Sequence, residues 1–160
     1  MNFRTLTLFE RDAVKDFYLA LSADDRRKRF CSALTDVPIA NYVDGLDFKR
    51  HTILGAFDES GELVGLAELA LGAKESELAF AVRPDQRGKG LGTKLMERIL
   101  QHARMRGIRN VLVMFLSDND PMRKLAKRTG MLVEADGAET YASLELPMMV
   151  SKGVIEEAVA

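Results

Sequence analysis

The feature that most constrains this chain is an apolar run that leads, through a short loop and a glycine-rich turn, into an amphipathic helix. The run covers residues 78–82, and the turn has glycines at positions 88, 90 and 92. Glycine opens backbone conformations closed to other residues and lets a ligand approach the backbone. At a helix N-terminus, the first amide groups point outward with the positive end of the dipole behind them. The turn therefore predicts a site for phosphate or pyrophosphate.

Two other glycine-rich motifs fit this turn poorly. A P-loop needs Gly-Lys-Ser/Thr after a four-residue gap, and the sequence around Lys89 does not supply it. A Rossmann fingerprint needs an acidic residue about 20 positions further on, where residues 108–110 read Ile-Arg-Asn. It also needs a preceding parallel βαβ unit, whereas two hairpin strands precede this turn. A plain helix-entry turn remains the alternative to a ligand site.

The periodicity of apolar residues predicts one α+β domain, with a mixed central sheet flanked by helices. We place this domain at residues 1–150 and a C-terminal tail at residues 151–160. The predicted strands are 3–8, 51–57, 62–71, 75–82, 111–116, 131–134 and 141–146. The predicted helices are 10–21, 22–34, a short one over 39–46, 92–106 and 120–130.

Composition narrows the class of protein. The chain has 160 residues, of which 47% are hydrophobic and 29% charged, as in a single globular domain. No apolar run is long enough to span a bilayer, and the first residues lack the layout of a secretory signal. One cysteine and two histidines favour neither a disulfide framework nor a metal site. We therefore expect a cytoplasmic protein with no metal and no membrane partner.

Basic residues are concentrated around the glycine-rich turn and beyond it. Residues 86–128 contain eleven Lys or Arg and three acidic residues, although the net charge of the chain is −1. Such a run is either a solvated helix surface or a basin for a polyanionic small ligand. Phe115 is the one aromatic residue among them, so the stacking platforms of nucleic-acid binders are missing. We expect no nucleic-acid partner.

Two motifs resemble those of the GNAT superfamily of N-acetyltransferases. The first reads R-x-x-G-x-G over residues 87–92 and follows a strand end that reads A-V-x-P over residues 81–84. The second has Asn119 before a helix that closes on Gly130 and Met131. The resemblance implies a GNAT-like mixed sheet, acetyl-coenzyme A (acetyl-CoA) as cosubstrate, and an amine acceptor.

Shorter segments are similar to the acetyltransferase domain of bacterial Pat-type protein-lysine acetyltransferases. They are residues 28–30 (K-R-F), 47–51 (D-F-x-x-H), 76–82 (S-E-L-A-F-A-V) and 122–128 (M-R-K-L-A-K-R). This similarity implies that the acceptor is a protein lysine or a small amine.

The resemblance also assigns residues to the cofactor. It implies that the pantetheine arm pairs with the backbone of residues 80–82, that Asn119 touches pantetheine, and that Arg123 reaches a phosphate. It places the pyrophosphate on the backbone amides of residues 87–93. The implied cofactor residues are Phe80, Ala81, Val82, Arg87, Gly88, Lys89, Gly90, Leu91, Gly92, Thr93, Asn119 and Arg123.

Acetyl transfer to an amine needs a base, because the ammonium form of lysine has a free pKa of about 10.4. Strand alternation puts Glu75 and Glu77 on one face with two small alanines, which leaves room for a water and a substrate. Glu77 falls where the Pat-type enzymes have their general base, and Glu75 lies nearer the strand end. A salt-bridged surface acid is the alternative for Glu77.

No general acid is assigned. Many GNAT enzymes have a tyrosine seven residues after the motif asparagine, and this chain has Ala126 there. Tyr141 and Ser117 are candidates, but a thiolate is a fair leaving group without an acid. The missing tyrosine keeps a second function open, namely a coenzyme-A-binding regulatory module with weak or no catalysis.

Overall fold

The computed structural model describes residues 1–148, so the predicted tail at residues 151–160 lies outside the described part. The helices and strands of residues 1–148 form an α+β domain. The strands are β1 (Asn2–Thr5), β2 (His51–Phe57), β3 (Leu63–Ala70), β4 (Ser76–Val82), β5 (Asn110–Leu116), β6 (Leu132–Asp136) and β7 (Glu139–Glu145). The α-helices are α1 (Arg11–Leu19), α2 (Ala23–Phe30), α3 (Asp36–Asp44), α4 (Leu91–Met105) and α5 (Asp120–Arg128), and short 3-10 helices cover Leu8–Glu10 and Pro84–Gln86.

The strands form one mixed sheet in the order β1-β2-β3-β4-β5-β7-β6. All neighbours are antiparallel except β4 and β5. These two parallel strands pair only at Ser76 with Val111 and at Glu77 with Leu112. β4 then continues to Val82 paired with β3 alone. The sheet therefore divides beyond Glu77 and leaves a cleft between β4 and β5.

Helices cover both faces of this sheet, which confirms the predicted fold class. α4 and α5 pack on one face in a core that contains Leu95, Ile99 and Phe115. α1 and α3 pack on the opposite face, where Val14 and Ile39 contact the sheet. No helix within residues 1–148 is long and apolar enough to cross a bilayer.

The largest difference from the predicted elements lies between α2 and α3. We predicted one helix over residues 22–34, broken by Pro38. α2 instead ends at Phe30, because Cys31 adopts left-handed backbone with a φ of 58°. α3 begins at Asp36, so Pro38 lies in its first turn, where a missing amide N–H costs no hydrogen bond. The other boundaries agree within a few residues, and β2 agrees at both ends.

Candidate active site

The cleft between β4 and β5 collects most of the predicted cofactor residues. Its volume is about 680 Å³. Ten of the predicted residues line it, namely Phe80, Ala81, Val82, Arg87, Gly88, Gly90, Leu91, Gly92, Thr93 and Asn119. Lys89, Arg123 and Glu77 are not among the lining residues. The cleft also has lining residues that we did not predict, among them Asp25, Lys28, Arg29 and Arg128.

The glycine-rich turn has the backbone that the sequence predicts. Gly88 and Gly90 have φ values of 74° and 79°, in the left-handed region. A Cβ on Gly90 would meet no atom within 4 Å, so glycine is required there for its conformation and not for lack of space. Gly90 is the N-cap of α4, and no side chain caps this helix. The first amide N–H groups of α4 therefore lack intrahelical acceptors at the cleft.

Cationic side chains near the turn differ in whether an ion pair already matches their charge and in whether they line the cleft. Arg87 pairs with Asp25 at 2.8 Å and donates to the carbonyl of Val82 at 3.1 Å, so its charge is already matched. Lys89 is exposed outside the cleft. Arg128, which belongs to the basic run that we interpreted as either a solvated surface or a basin for a polyanion, lines the cleft, and its Nη2 lies 3.5 Å from the hydroxyl of Thr93.

The edge of β4 that faces the cleft has no strand partner over residues 78–82. Phe80, Ala81 and Val82 line the cleft there, and β3 pairs with the other edge of β4. Backbone N–H and C=O groups on the open edge can pair with an extended ligand, except the Val82 carbonyl, which accepts from Arg87. The pantetheine arm of acetyl-CoA is such a ligand, because it carries amide groups in a linear chain.

Asn119 and Arg123 lie at the start of α5. The Asn119 side chain accepts a hydrogen bond from the amide of Met122 at 3.2 Å and caps the helix, and the residue is buried against the cleft. Arg123 donates to the Asp120 carboxylate at 2.9 Å and to the carbonyl of Ser117. A phosphate contact of Arg123 thus remains a prediction, whereas Arg128 lies in the cleft wall.

Glu77 lies where β4 and β5 stop pairing, and its side chain is exposed. It forms no ion pair with any of residues 1–148, unlike the salt-bridged acid of the alternative interpretation. The Glu77 charge also affects the pKa of the Cys31 thiol, at the end of α2. Burial raises the pKa of the Cys31 thiol first, and the carboxylates of Glu139 and Glu77 raise it further. Glu75 is exposed in the loop before β4.

The candidate acids are both engaged in other hydrogen bonds. The Tyr141 hydroxyl donates to Glu139 at 2.8 Å, and this bond raises the pKa of the tyrosine. The Ser117 hydroxyl lies 2.9 Å from the Gly137 carbonyl and 2.9 Å from the Thr140 hydroxyl. Ala126 is fully buried in the core. We therefore still assign no general acid.

Sequence reasoning missed a buried polar cluster next to the cleft. It consists of Tyr18, Arg29, Tyr42 and Glu68, joined by hydrogen bonds. Burial alone would raise the pKa of Glu68, but the Arg29 charge and the two phenol hydrogen bonds outweigh it and lower that pKa. Burial raises the pKa of both tyrosines. The sequence feature that could have indicated this cluster is Glu68 itself, the single charged residue in the otherwise uncharged strand β3.

Comparison with known proteins identifies the family. The Acetyltransferase (GNAT) family profile matches residues 14–131, well over half of the chain. The chain belongs to the GNAT family of acetyltransferases. The family predicted from the sequence is thereby confirmed.

Individual relatives agree with this family. An L-methionine sulfoximine/L-methionine sulfone acetyltransferase of Pseudomonas paraeruginosa is 32% identical over 105 residues. That match covers 60% of this chain and 61% of the relative. The GNAT domain of S. lividans PAT superposes with a TM-score of 0.76 at 24% identity, over 90% of this chain and 89% of the other. A Salmonella typhimurium protein solved with its cofactor acetyl-CoA has a TM-score of 0.70 at 20% identity, over 94% and 96% of the two chains.

Proposed function

We propose that this chain transfers the acetyl group of acetyl-CoA directly to an amine, with Glu77 as the general base. The observation that carries the proposal is the division of the sheet at Glu77. The cleft runs from the uncapped N-terminus of α4 along the open edge of β4, and Glu77 stands where that edge begins. One elongated ligand can therefore hold its pyrophosphate at one end and present its thioester near a carboxylate at the other.

The cofactor contacts follow from this direction. The pyrophosphate binds the amides of residues 87–93, and pantetheine pairs with the open edge at residues 80–82 beside Asn119. Arg128 supplies positive charge, since it lines the cleft, and Lys28 lines the cleft as well but pairs with Asp24 at 3.1 Å. Arg123 remains a proposed phosphate ligand only if its side chain leaves Asp120.

The reaction needs three groups at the thioester. Glu77 takes a proton from the acceptor ammonium, directly or through a water, and the neutral nitrogen attacks the thioester carbonyl. A backbone N–H near Val82, on the unpaired edge of β4, stabilises the oxyanion. The new C–N bond forms, the C–S bond breaks, and the coenzyme A thiolate leaves and takes up a proton.

The acceptor is a small amine or a protein lysine. A small amine is supported by the relative named for L-methionine sulfoximine and L-methionine sulfone, although the chain spans only 61% of that relative's length. A protein lysine is supported only by the resemblance to Pat-type enzymes. We further propose that residues 1–150 act as one domain and that the protein is cytoplasmic.

A thiol-release assay tests the proposed function against the rival one. Acetyl-CoA is incubated with the protein and, in separate reactions, with free amino acids, polyamines and lysine peptides. Transferase activity predicts coenzyme A release that depends on one of these amines. Tight binding of acetyl-CoA without release for any amine would instead favour the regulatory module, which the absence of a tyrosine at Ala126 keeps open.

A further inference from the structure

A buried ion pair connects three helices to the sheet beside the cleft. Glu68 on β3 is 2% exposed, and it accepts hydrogen bonds from Tyr18 on α1, Arg29 on α2 and, at 2.7 Å, Tyr42 on α3. The Arg29 guanidinium also lies 4.5 Å from the centroid of the Phe30 ring. These contacts hold the guanidinium in one position.

Stability alone does not account for this pair. Desolvation offsets much of the attraction between two buried charges, and apolar residues of similar size often serve a fold equally well. Arg29 is 8% exposed, and it lines the cleft. Its Nε and Nη2 donate to Tyr18, Tyr42 and Glu68, whereas Nη1 has no acceptor among residues 1–148. A fixed guanidinium with free N–H groups is suited to bind a carboxylate.

Glu68, the carboxylate that holds this guanidinium, lies on the same face of the sheet as the proposed base. Glu68 is opposite Ala79 in the ladder between β3 and β4, and Ala79 is two residues from Glu77 on the same face. Diagonal neighbours in such a ladder are about 7–8 Å apart. Cys31 responds to both groups, since burial raises the pKa of its thiol, Glu77 raises it further and Arg29 lowers it. The cationic donor in the cleft wall and the Glu77 carboxylate, which is not itself a lining residue, therefore lie on the same face of the sheet.

We propose that the acceptor is a free amino acid, whose carboxylate is bound by Arg29 while its amino group faces Glu77. This inference rests on the proposed function and names the class of its acceptor. Neither a polyamine nor a lysine side chain within a peptide has a carboxylate next to the reacting amine. Glu68, Tyr18 and Tyr42 are positioning residues that act through Arg29.

Unmodified protein provides the first test. Initial rates with acetyl-CoA are compared for free L-amino acids, their carboxamides and spermidine, at a pH above the pKa values of the amino groups. One charge-assisted hydrogen bond corresponds to a preference of about 10- to 100-fold in kcat/KM for the acids. Equal rates, or faster acetylation of carboxamides or spermidine, would overturn the inference and leave the proposed function intact. Acetylation of no amine at all would overturn both.

A double variant separates recognition from folding. Arg29→Met combined with Glu68→Met removes both charges together, so neither is left buried without its partner. The acid-to-carboxamide preference should fall to about one, while the Kd of acetyl-CoA stays within about twofold of wild type. A double variant that keeps the wild-type preference would contradict the role of Arg29. If this variant does not fold, the comparison of amino acids with their carboxamides in the wild-type protein still tests the inference.

Discussion

The carboxylate of Asp25 lies 2.8 Å from the guanidinium of Arg87, and this ion pair joins α2 to the glycine-rich turn. Asp25 is 7% exposed and lines the cleft in which we propose that acetyl-CoA, a polyanion, binds. Arg87 also donates to the carbonyl of Val82, so the pair fixes the turn against the end of β4. The Arg87 charge is thereby neutralised before any phosphate arrives.

Asp25→Asn should therefore strengthen acetyl-CoA binding. The asparagine keeps an oxygen that can accept from Arg87 but removes a negative charge from the cleft wall. One charge at a distance of about 10 Å corresponds to about 1 kcal/mol, or roughly a fivefold lower Kd at low salt. Calorimetric titration at two salt concentrations measures this. Asp36→Asn is the control, because Asp36 is an exposed acid that pairs with Arg26 outside the cleft. Weaker binding by Asp25→Asn would mean that the pair matters mainly for holding the turn.

Gly90→Val should abolish acetyl-CoA binding. Gly90 has a φ of 79°, which valine avoids, and a β-branched side chain there would keep phosphate from the amides. Wild type at ligand concentrations a hundredfold above Kd should gain about 2.7 kcal/mol in the free energy of unfolding. Differential scanning fluorimetry should show this shift with acetyl-CoA and not with acetate. Retention of the shift by Gly90→Val would place the phosphate site elsewhere.

Glu77→Gln should lower turnover and leave the Kd of acetyl-CoA unchanged. Glutamine keeps the shape of the side chain but cannot accept a proton, and a general base typically contributes about 10²- to 10⁴-fold. The defect should shrink as the pH approaches the pKa of the acceptor, because the amine is then neutral without help. Steady-state rates across pH measure both effects.

Glu75→Gln is the matched control for the base, since Glu75 lies two residues away and outside β4. We expect it to retain most of the wild-type rate. A larger defect in Glu75→Gln would move the role of base to that residue. Full activity of both variants would mean that the site contributes only proximity and the oxyanion contact to catalysis.

Glu68→Gln should destabilise the fold in a pH-dependent way. It leaves Arg29 buried without its carboxylate, which costs about 3–5 kcal/mol at neutral pH. Because the folded-state pKa of Glu68 is lowered, its stabilisation is complete above the unfolded value of about 4.3 and is lost as the pH falls further. Urea unfolding of both proteins should show the difference shrinking below that pH. A difference that does not change with pH would mean that the Glu68 charge is not what stabilises the cluster.

Local patterns were sufficient to predict most of the fold and the backbone of the glycine-rich turn. The bounds of β2 follow from its apolar residues and the adjoining hairpin turn. The turn and the open edge of β4 lie together within residues 78–93, so one contiguous segment contains most of the predicted cofactor site. Such features depend on residues that are close together in the chain, so the sequence alone is enough to predict them.

Contacts between distant segments could not be predicted in the same way. The pairs Asp25–Arg87 and Arg29–Glu68 depend on how α2 packs over the sheet. Which of Arg123 and Arg128 faces the cleft depends on the rotation of α5. These two residues are five positions apart on the helix, so their side chains point about 140° apart around its axis. Only tertiary packing shows which one faces the cleft.

Transfer of a labelled acetyl group is the most direct test of the central claim. Acetyl-CoA with an isotope-labelled acetyl group is incubated with the wild-type chain and an amine, and the products are measured by mass spectrometry. We predict that the label moves to the nitrogen of the amine in an amount equal to the coenzyme A released, and that Glu77→Gln slows this transfer. Label that remains on coenzyme A, or appears only as acetate, would contradict the assignment of the cleft as an amine acetyltransferase site.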